Sequence, residues 1–355
     1  MRTYLAILVL SALASFLSTP WARKLAQKIG AIDHPSDRKI HSSPIPRLGG
    51  IAVFIGFVVP LASFYLWQNR VTAIFRNYEK PVAALVLAGI AMLALGIYDD
   101  CRGANARKKL AIQIPAALLL YFFGFRIDIL SNPFGETLQL GVLSLPISVL
   151  WILMITNAIN LLDGIDGLVP GVTAVISLSL GIINVIYGNT IIAVLTFCLA
   201  GACAGFLPHN FAPARIFLGD TGSLFIGMTL AGISMYSLFK GTTATLIAVP
   251  LVLFGLPLFD TMSVMIGRLA KGRPVFQADK SHIHHRLLEL GLSQRQAALF
   301  LYAVTILLSA ISVTMSADHG TRGEVMQAAA SVMLVVATGW LIWKMRIARE
   351  DKCSP

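Results

Sequence analysis

Two carboxylates stand side by side where a long apolar run ends, in the stretch LALGIYDDCRG at residues 93–103. Charged groups are costly in hydrocarbon, so Asp99 and Asp100 are expected at the membrane surface. Neighbours on a helix do not share a face, so one carboxylate can face the protein interior while the other faces water. A divalent cation or a nearby base would relieve their mutual repulsion. The alternative is a solvated helix end without a chemical role.

A second acidic stretch, TNAINLLDGIDGL at residues 156–168, carries polar groups out of another apolar run. Asn157, Asn160 and Asp163 recur at every third position, and Asp166 follows after a glycine. Polar side chains at this depth face the bundle interior or a water-filled cavity. Oxygen ligands of this kind suit Mg²⁺ or Mn²⁺. Interhelical hydrogen bonding is the alternative, and it explains Asn157 well but the two aspartates poorly.

The stretch RIFLGDTGSLFIG at residues 215–227 places Asp220 in a glycine-rich turn just before an apolar run. A carboxylate there could simply cap the following helix. It could also hold a metal ion beside backbone N–H groups at a helix N-terminus, where phosphate binds readily. Phe217 lies three residues before Asp220 and could stack on a nucleobase or anchor the loop at the membrane interface.

Imidazole and cationic groups cluster in the stretch ADKSHIHHRLLELG at residues 278–291. The cluster consists of His282, His284, His285 and Arg286. One helical turn would bring His282, His285 and Arg286 to the same side. The stretch has no cysteine that would complete a zinc site, and the nearby bases favour phosphate or pyrophosphate as the ligand. A solvated basic loop is the alternative.

Two further basic segments could meet an anionic ligand or lipid head groups. The proline-punctuated stretch at residues 33–50 contains Arg38 and His41, and Lys109 follows the acidic pair in the next such segment. Oxygen ligands for a hard cation and cationic groups for phosphate together suit phosphoryl transfer, in which catalysis is mostly positioning and charge neutralisation. The sequence contains no Walker motif, protein-kinase motif or Gly-x-Ser-x-Gly elbow.

The elements that must position these residues are membrane helices. The chain has 355 residues, of which 56% are hydrophobic and only 13% charged, and apolar runs near the length of a bilayer-spanning helix recur along it. We predict an all-α polytopic membrane protein with one transmembrane catalytic domain over residues 1–355. A short exposed hairpin is expected at residues 126–141. The eleven predicted spans are 3–19, 50–67, 81–98, 110–125, 142–162, 168–187, 190–207, 223–239, 243–266, 296–315 and 325–343.

Charge asymmetry predicts the orientation of these spans. With the N-terminus outside, 21 of the 28 lysines and arginines fall on the cytoplasmic side, as the positive-inside rule requires. Most acids and six of the seven histidines fall on that side too, which predicts a cytoplasmic active site. A cleaved signal peptide is the alternative for the first span, but the basic residues that follow it favour a retained anchor. The cytoplasmic segments are 20–49, 99–109, 163–167, 208–222, 267–295 and the tail 344–355.

Five ordered blocks resemble the polyprenyl-phosphate N-acetylhexosamine-1-phosphate transferases of glycosyltransferase family 4. They are DHPSDRKIHSSPIPRLGGIA, GIYDD, NAINLLDGIDGL, IFLGDTGSLFIG and DKSHIHHRLL, and they cover roughly residues 30–290. The His-Ile-His-His order is similar to the branch that uses UDP-GlcNAc and starts O-antigen, enterobacterial common antigen or teichoic acid lipid carriers. Phospho-MurNAc-pentapeptide transferases typically carry three consecutive histidines, a run that Ile283 interrupts here.

The resemblance implies a Mg²⁺- or Mn²⁺-dependent transfer of sugar-1-phosphate from a UDP-sugar to undecaprenyl phosphate, with release of UMP. It also implies a multi-pass protein of the bacterial inner membrane and favours a homodimer. Direct attack by the lipid phosphate and a phosphorylated aspartate both remain open. By motif, catalysis is assigned to Asp99, Asp100, Asp163, Asp166 and His282, metal binding to Asp220 and Asp100, and substrate binding to Arg38, His41, Lys109, Asn160, Phe217, His284, His285 and Arg286.

Two other classes of protein are compatible with the composition. A cation transporter would use acids and histidines as ligands near the bilayer midplane, but only Asp260 approaches that depth. A nucleotide- or lipid-binding scaffold without catalysis is the second alternative, and the intact set of acidic motifs favours an enzyme over it.

Overall fold

Most of the chain folds into α-helices, which leave no backbone polar group unpaired in an apolar surrounding. The computed structural model describes residues 2–35, 43–66, 70–130, 138–238, 245–269 and 282–317. The helices in these ranges are α1 (Arg2–Ile29), α2 (Gly49–Ser63), α3 (Arg70–Arg76), α4 (Glu79–Arg102), α5 (Ala106–Phe122), α6 (Ser144–Leu162), α7 (Leu168–Ile186), α8 (Thr190–Asn210), α9 (Gly219–Leu238), α10 (Thr245–Leu253), α11 (Gly255–Leu269), α12 (Ile283–Glu289) and α13 (Gln294–Ala317).

The helices confirm a polytopic membrane protein. Six of those in the described ranges are long and apolar enough to cross a bilayer, namely α1, α4, α6 with the 3₁₀ turn before it, α7, α8 and α13. The shorter helix α2 is also apolar. Ten of the eleven predicted spans coincide with helices, and the span at 325–343 lies outside the described residues.

One predicted span is two helices rather than one. The run at 243–266 divides between Leu253 and Gly255 into α10 and α11. Pro257 has no backbone N–H to donate to the carbonyl of Leu253, and its ring crowds that carbonyl, so a continuous helix is disfavoured here. Phe254 lies between the two helices and belongs to neither, and Asp260 lies in α11.

The described part of the chain also contains two short antiparallel pairs of strands. The predicted hairpin is confirmed by antiparallel pairing of β3 (Ile129–Leu130) with β4 (Leu138–Gln139). A second pair, β1 (Ile32–Asp33) with β2 (Ile45–Pro46), was not predicted, because its strands are two residues long and lie in a proline-rich basic segment. Together, β1 and β2 bring residues 32–33 beside residues 45–46 at the entrance to α2.

Helix α9 lies at the centre of the bundle and packs against α2, α4 and α6. Glycines permit the closest approaches at its first turn. A Cβ atom on Gly50 of α2 would lie 2.2 Å from the backbone nitrogen of Gly222, and one on Gly96 of α4 would lie 2.3 Å from the Cα of Thr221. The ends of α4 and α6 and the beginnings of α2, α5, α7 and α9 therefore meet at one end of the bundle.

Candidate active site

Asp100 caps the N-terminus of α9. Its Oδ1 accepts from the backbone N–H of Asp220 at 3.1 Å, and its Oδ2 accepts from the N–H of Thr221 at 3.0 Å and from the Thr221 hydroxyl at 2.6 Å. Gly219 has φ +71°, and a Cβ there would lie 2.4 Å from the Asp100 carboxylate. A buried carboxylate on α4 thus satisfies the free N–H groups that a helix presents at its start. The alternative role of Asp220 as the cap of its own helix is wrong.

Asp220 instead turns its carboxylate toward Lys109. The Lys109 ammonium forms an ion pair with Asp220 and a second one, at 2.6 Å, with Asp99. Asp99 also accepts from the backbone N–H of Ala104. As expected for neighbours on a helix, Asp99 and Asp100 have different partners. We call Asp99, Asp100, Lys109 and Asp220 the acidic junction.

The turn between α6 and α7 supplies Asp163 and Asp166. Burial raises the pKa of Asp163 well above its usual range, and the nearby charges of Asp220 and Asp100 raise it further. Asp166 accepts from the backbone N–H of Ala214 at 2.9 Å, which ties this turn to the segment before α9. Three carboxylates from α4, α9 and this turn therefore lie close enough to affect one another's charge.

The two asparagines of α6 bond to neighbouring helices. Asn157 pairs with Gln113 of α5, with N···O distances of 3.0 and 3.3 Å. Asn160 donates to the Ser223 hydroxyl of α9 at 2.8 Å and also hydrogen-bonds Asp220. Although burial opposes the shift, the hydrogen bond to Asp99 and the charge of Lys109 lower the pKa of the Asp220 carboxyl, and the bond to Asn160 adds to this effect. Interhelical bonding thus accounts for Asn157, whereas Asn160 also belongs to the surroundings of Asp220.

The carboxylates of Asp100, Asp163, Asp166 and Asp220 border a cavity of about 260 Å³. Phe217 lies in the wall of this cavity. Its backbone N–H donates to the carbonyl of Pro46 at 2.8 Å, and its carbonyl accepts from the N–H of Gly49 at 2.9 Å. The lining residues are Asp33, Arg47, Asp100, Asp163, Gly164, Ile165, Asp166, Asn210, Phe217, Leu218, Gly219, Asp220, His285 and Gln294.

The histidine segment, residues 282–286, contributes His285 to the wall of the cavity. Buried His282 places its Nδ1 2.8 Å from Asp260 Oδ2, and Asp260 Oδ1 accepts from the backbone N–H of Ile283 at 2.7 Å. His282 lies at the N-cap of α12, and its carbonyl accepts from the backbone N–H of Arg286 at 3.2 Å. Its ring lies against that of His284, with ring centroids 5.7 Å apart.

His284 packs on the acidic turn of α6–α7. A Cβ on Gly164 would lie 1.9 Å from its Nε2, so only glycine leaves room for the imidazole. Burial lowers the pKa of His284 to about 4, and the charge of His285 adds to this shift. The ring is therefore neutral at physiological pH. Among the predicted histidines, His285 reaches the cavity wall.

The predicted residues thus divide into four groups. Asp100, Asp163, Asp166, Phe217, Asp220 and His285 line the cavity. Asp99, Lys109 and Asn160 contact Asp220, while His282, His284 and Arg286 lie in the histidine segment outside the cavity wall. Arg38 and His41 lie outside the described residues.

Four cavity residues with polar side chains were missing from the predicted set: Asp33, Arg47, Asn210 and Gln294. The Arg47 guanidinium forms an ion pair with Asp33 and lies 4.0 Å from Asp100 Oδ1. Its place in a basic loop was a usable signal. Asn210 and Gln294 stand at the end of α8 and the start of α13, and no pattern in the sequence marks them as facing the cavity.

Comparison with known proteins decides the family. The sequence profile of glycosyl transferase family 4 matches residues 82–238. A probable undecaprenyl-phosphate N-acetylglucosaminyl 1-phosphate transferase of Bacillus subtilis (strain 168) is 38% identical over 309 residues, covering 86% of this chain and 83% of the relative. The chain belongs to glycosyl transferase family 4.

Two further relatives of this family 4 protein carry related names. A decaprenyl-phosphate N-acetylglucosaminephosphotransferase of Mycolicibacterium smegmatis is 35% identical over 353 residues, covering 92% of this chain and 86% of the relative. An undecaprenyl-phosphate alpha-N-acetylglucosaminyl 1-phosphate transferase of Escherichia coli (strain K12) is 30% identical over 308 residues, covering 84% and 80%. The predicted superfamily and branch are confirmed, and the protein is a transferase.

The family 4 site fits a hard divalent cation by the chemistry of its donors. Asp163 and Asp220 offer carboxylate oxygens next to that of Asp100, and burial together with the charges of Asp220 and Asp100 raises the pKa of Asp163. In the described part of the chain, no three acidic, histidine or cysteine groups stand ready as a complete ligand set. Lys109 supplies the positive charge between Asp99 and Asp220.

Proposed function

We propose that this protein transfers GlcNAc-1-phosphate from UDP-GlcNAc to undecaprenyl phosphate and releases UMP. The observation that carries the proposal is identity of 30–38% along most of the chain with relatives named for this transfer to polyprenyl phosphates. The interrupted histidine run, with Ile283 between His282 and His284, favours UDP-GlcNAc over UDP-MurNAc-pentapeptide as the donor. Another UDP-N-acetylhexosamine would use the same chemistry.

The reaction exchanges one phosphoanhydride bond for another. An oxygen of the lipid phosphate forms a bond to the phosphorus that carries the sugar, and the bond from that phosphorus to the bridging oxygen of UMP breaks. The electron pair leaves with UMP, and the sugar phosphate becomes joined to the lipid through a pyrophosphate. Because all reacting groups are anionic, the protein must mainly neutralise charge and align the phosphates.

In this proposal Asp220 and Asp163 hold Mg²⁺ or Mn²⁺, which would neutralise charge on the donor pyrophosphate. Asp163 replaces Asp100, the metal ligand assigned by motif, because both oxygens of Asp100 accept hydrogen bonds from the start of α9. Asp100 holds the N-terminus of α9 in place and so positions Asp220. Asp99 accepts a proton from the lipid phosphate, and Lys109 attracts the phosphate. The salt bridges of Lys109 to Asp99 and Asp220 support this placement, because they bring cationic and anionic partners of phosphate together.

The donor binds along the rest of the cavity wall. Phe217 stacks on uracil, Asn160 and Asp166 orient the nucleotide side, and His285 contacts the donor phosphate or sugar. Asp260 orients His282, and His284 holds the Asp163–Gly164 turn against the cavity. Arg286, Arg38 and His41 complete the proposed binding groups.

The proposed topology has eleven spans, the N-terminus outside and the site on the cytoplasmic face of the bacterial inner membrane. There the product would be the first lipid-linked sugar of a cell-surface polysaccharide such as O-antigen or teichoic acid. Exposed Cys101, next to the acidic pair, offers a test of the orientation. In a Cys353→Ser background, a membrane-impermeant maleimide should label Cys101 in inverted vesicles and spare it in intact cells. Labelling in intact cells would refute the orientation.

The activity test is UMP release by the purified full-length protein in detergent, with undecaprenyl phosphate, Mg²⁺ and a panel of UDP-sugars. UMP release with UDP-GlcNAc that depends on both lipid and metal is the expected result. Release with a different UDP-sugar alone would keep the chemistry and reassign the donor. No release from any donor by a folded sample would refute the proposal. Size-exclusion chromatography with light scattering of the same sample tests the proposed homodimer.

A further inference from the structure

A second pocket, of about 360 Å³, lies between the last turns of α1 and the segment that follows α8. We call it the basic pocket. Its lining residues are Thr19, Pro20, Arg23, Lys24, Gln27, His209, Arg215 and Ile216. None of them lines the active-site cavity.

The basic pocket differs from the active-site cavity in its charge, because its wall contains cationic side chains and no acid. Arg23, Lys24 and Arg215 contribute three cationic side chains, and the lining contains no carboxylate. Among the described residues, no acid forms a salt bridge with any of these three. The active-site cavity is different, because there Arg47 is paired with Asp33. The basic pocket therefore attracts an anion that the described residues of the protein do not provide.

The pocket is assembled from two distant parts of the chain. On α1, Thr19, Arg23 and Gln27 recur at intervals of four residues and so share one face. Opposite them, the His209 ring packs on Phe16 with centroids 4.7 Å apart, and the backbone N–H of Arg215 donates to the carbonyl of His209 at 2.9 Å. Basic residues that only set the membrane orientation need to lie in a cytoplasmic loop. They do not need to be brought together with a second part of the chain, as they are in the basic pocket.

The segment after α8 is held in a defined shape. The Asn210 side chain donates to the carbonyl of Ile216 at 3.0 Å and accepts from the backbone N–H of Gly167 at 3.0 Å. In the pocket wall, His209 Nε2 has no hydrogen-bond partner among the described residues. An oxygen ligand could therefore meet a prepared set of donors without first ordering a loop.

The pocket opens next to a lipid-facing surface. Leu13, Leu17 and Trp21 of α1 are 51%, 71% and 54% exposed, as expected for side chains that face acyl chains and the interface. Arg23 and Lys24 follow directly at the end of this apolar surface. Basic side chains that follow an apolar, lipid-facing surface in this way meet the phosphates of membrane lipids at the interface.

We propose that the basic pocket binds the phosphate group of an anionic membrane lipid, through Arg23, Lys24 and Arg215, at a site separate from the active-site cavity. Ile216 faces the basic pocket and the next residue, Phe217, faces the active site. A bound lipid phosphate would thus brace the segment that carries Phe217 from behind.

The test measures thermal unfolding of the full-length protein in detergent during titration with phosphatidylglycerol. Phosphatidylcholine with the same acyl chains provides the baseline for apolar binding, and inorganic phosphate tests a soluble source. The test variant is R23Q/R215Q. The matched control is K28Q/R102Q, which removes two exposed charges outside both pockets. R23K/R215K keeps the charge and tests whether positive charge suffices.

Phosphatidylglycerol should stabilise the wild type and K28Q/R102Q at similar concentrations, and R23Q/R215Q should need about tenfold more lipid. R23K/R215K should retain most of the effect. Inorganic phosphate that stabilises the wild type but not R23Q/R215Q would keep the site and assign it a soluble ligand. Equal responses of all variants to phosphatidylglycerol, or equal stabilisation by phosphatidylcholine, would overturn the proposal.

Discussion

In the acidic junction three carboxylates share one ammonium and the N-terminus of α9, whereas in the histidine segment one buried carboxylate is shared by His282 and a backbone N–H. The first region retains excess negative charge, and Asp163 beside it is costly to ionise. In the second region Asp260 satisfies the His282 ring and the Ile283 N–H, whereas the buried Nδ1 of His284 has no hydrogen-bond partner among the described residues. The difference supports the proposal that the acidic junction binds a cation and that the histidine segment positions a substrate.

Removal of divalent metal should have the largest effect and should separate the two regions. EDTA should reduce UMP release by at least about 10³-fold, because metal-assisted charge neutralisation contributes several kcal/mol. Excess Mg²⁺ should restore the rate. Mg²⁺ should also raise the unfolding temperature of the apo protein, because it binds the folded state.

The same Mg²⁺ titration, applied to variants, compares the acidic junction with the histidine segment. The thermal shift should disappear in Asp220→Asn and persist in His282→Asn. If His282→Asn also lost the shift, the histidine segment would take part in metal binding and the division between the regions would be wrong.

Asp220→Asn should reduce turnover by about 10²–10³-fold, because it removes one carboxylate that faces the cavity. Asp128→Asn is the matched control, since Asp128 pairs with Arg126 at 2.8 Å and lies outside the cavity. Steady-state UMP release measures both variants at saturating Mg²⁺. A rate for Asp220→Asn within a factor of three of the control would contradict the assignment.

Asp260→Asn should reduce activity by about 10–100-fold, because it weakens the orientation of His282 without touching the cavity. His282→Asn should have a similar effect, and the double variant should be little worse than either single one. Kinetics with varied UDP-GlcNAc, separating kcat from KM, measure the four proteins of this cycle. Additive losses would show that the two residues act independently.

The smallest expected effect is a difference in the free energy of unfolding between variants of Asp99 and Asp100. Asp100→Asn should lower the free energy of unfolding by about 1–2 kcal/mol, because the amide leaves at least one donor at the start of α9 without an acceptor. Asp99→Asn should lose activity with a smaller loss of stability. Thermal unfolding of both variants in detergent checks this, and equal destabilisation would remove the special role of Asp100. Thr221→Val should reproduce part of the Asp100→Asn loss.

Most of the helical architecture could be predicted from the sequence because membrane helices are encoded by local apolar runs. The division of the 243–266 run escaped prediction, although Pro257 carried the signal for it. The strands β1 and β2 escaped for a different reason: two-residue strands leave no periodic pattern, and their pairing depends on the chain between them returning to the same place.

The candidate site was predicted less evenly. The acids that line the cavity stand in short motifs at helix ends, where charge in an apolar sequence is conspicuous. Arg47, Asn210 and Gln294 are ordinary polar residues in sequence, and only packing turns them toward the cavity. The role of Asp260 also depended on packing, since a lone acid inside an apolar run could equally have belonged to a transport pathway.

The sequence by itself determined the membrane-helical class, the family and the inventory of charged groups, because these depend on run length, composition and motif order. Tertiary structure decided which groups meet. Asp100 reaches Thr221 across 121 positions and Lys109 reaches Asp220 across 111. It also joined the end of α1 to residues 209–216 in the basic pocket. No local sequence pattern encodes contacts between residues so far apart in the chain, because these contacts depend on how the surrounding helices enclose α9.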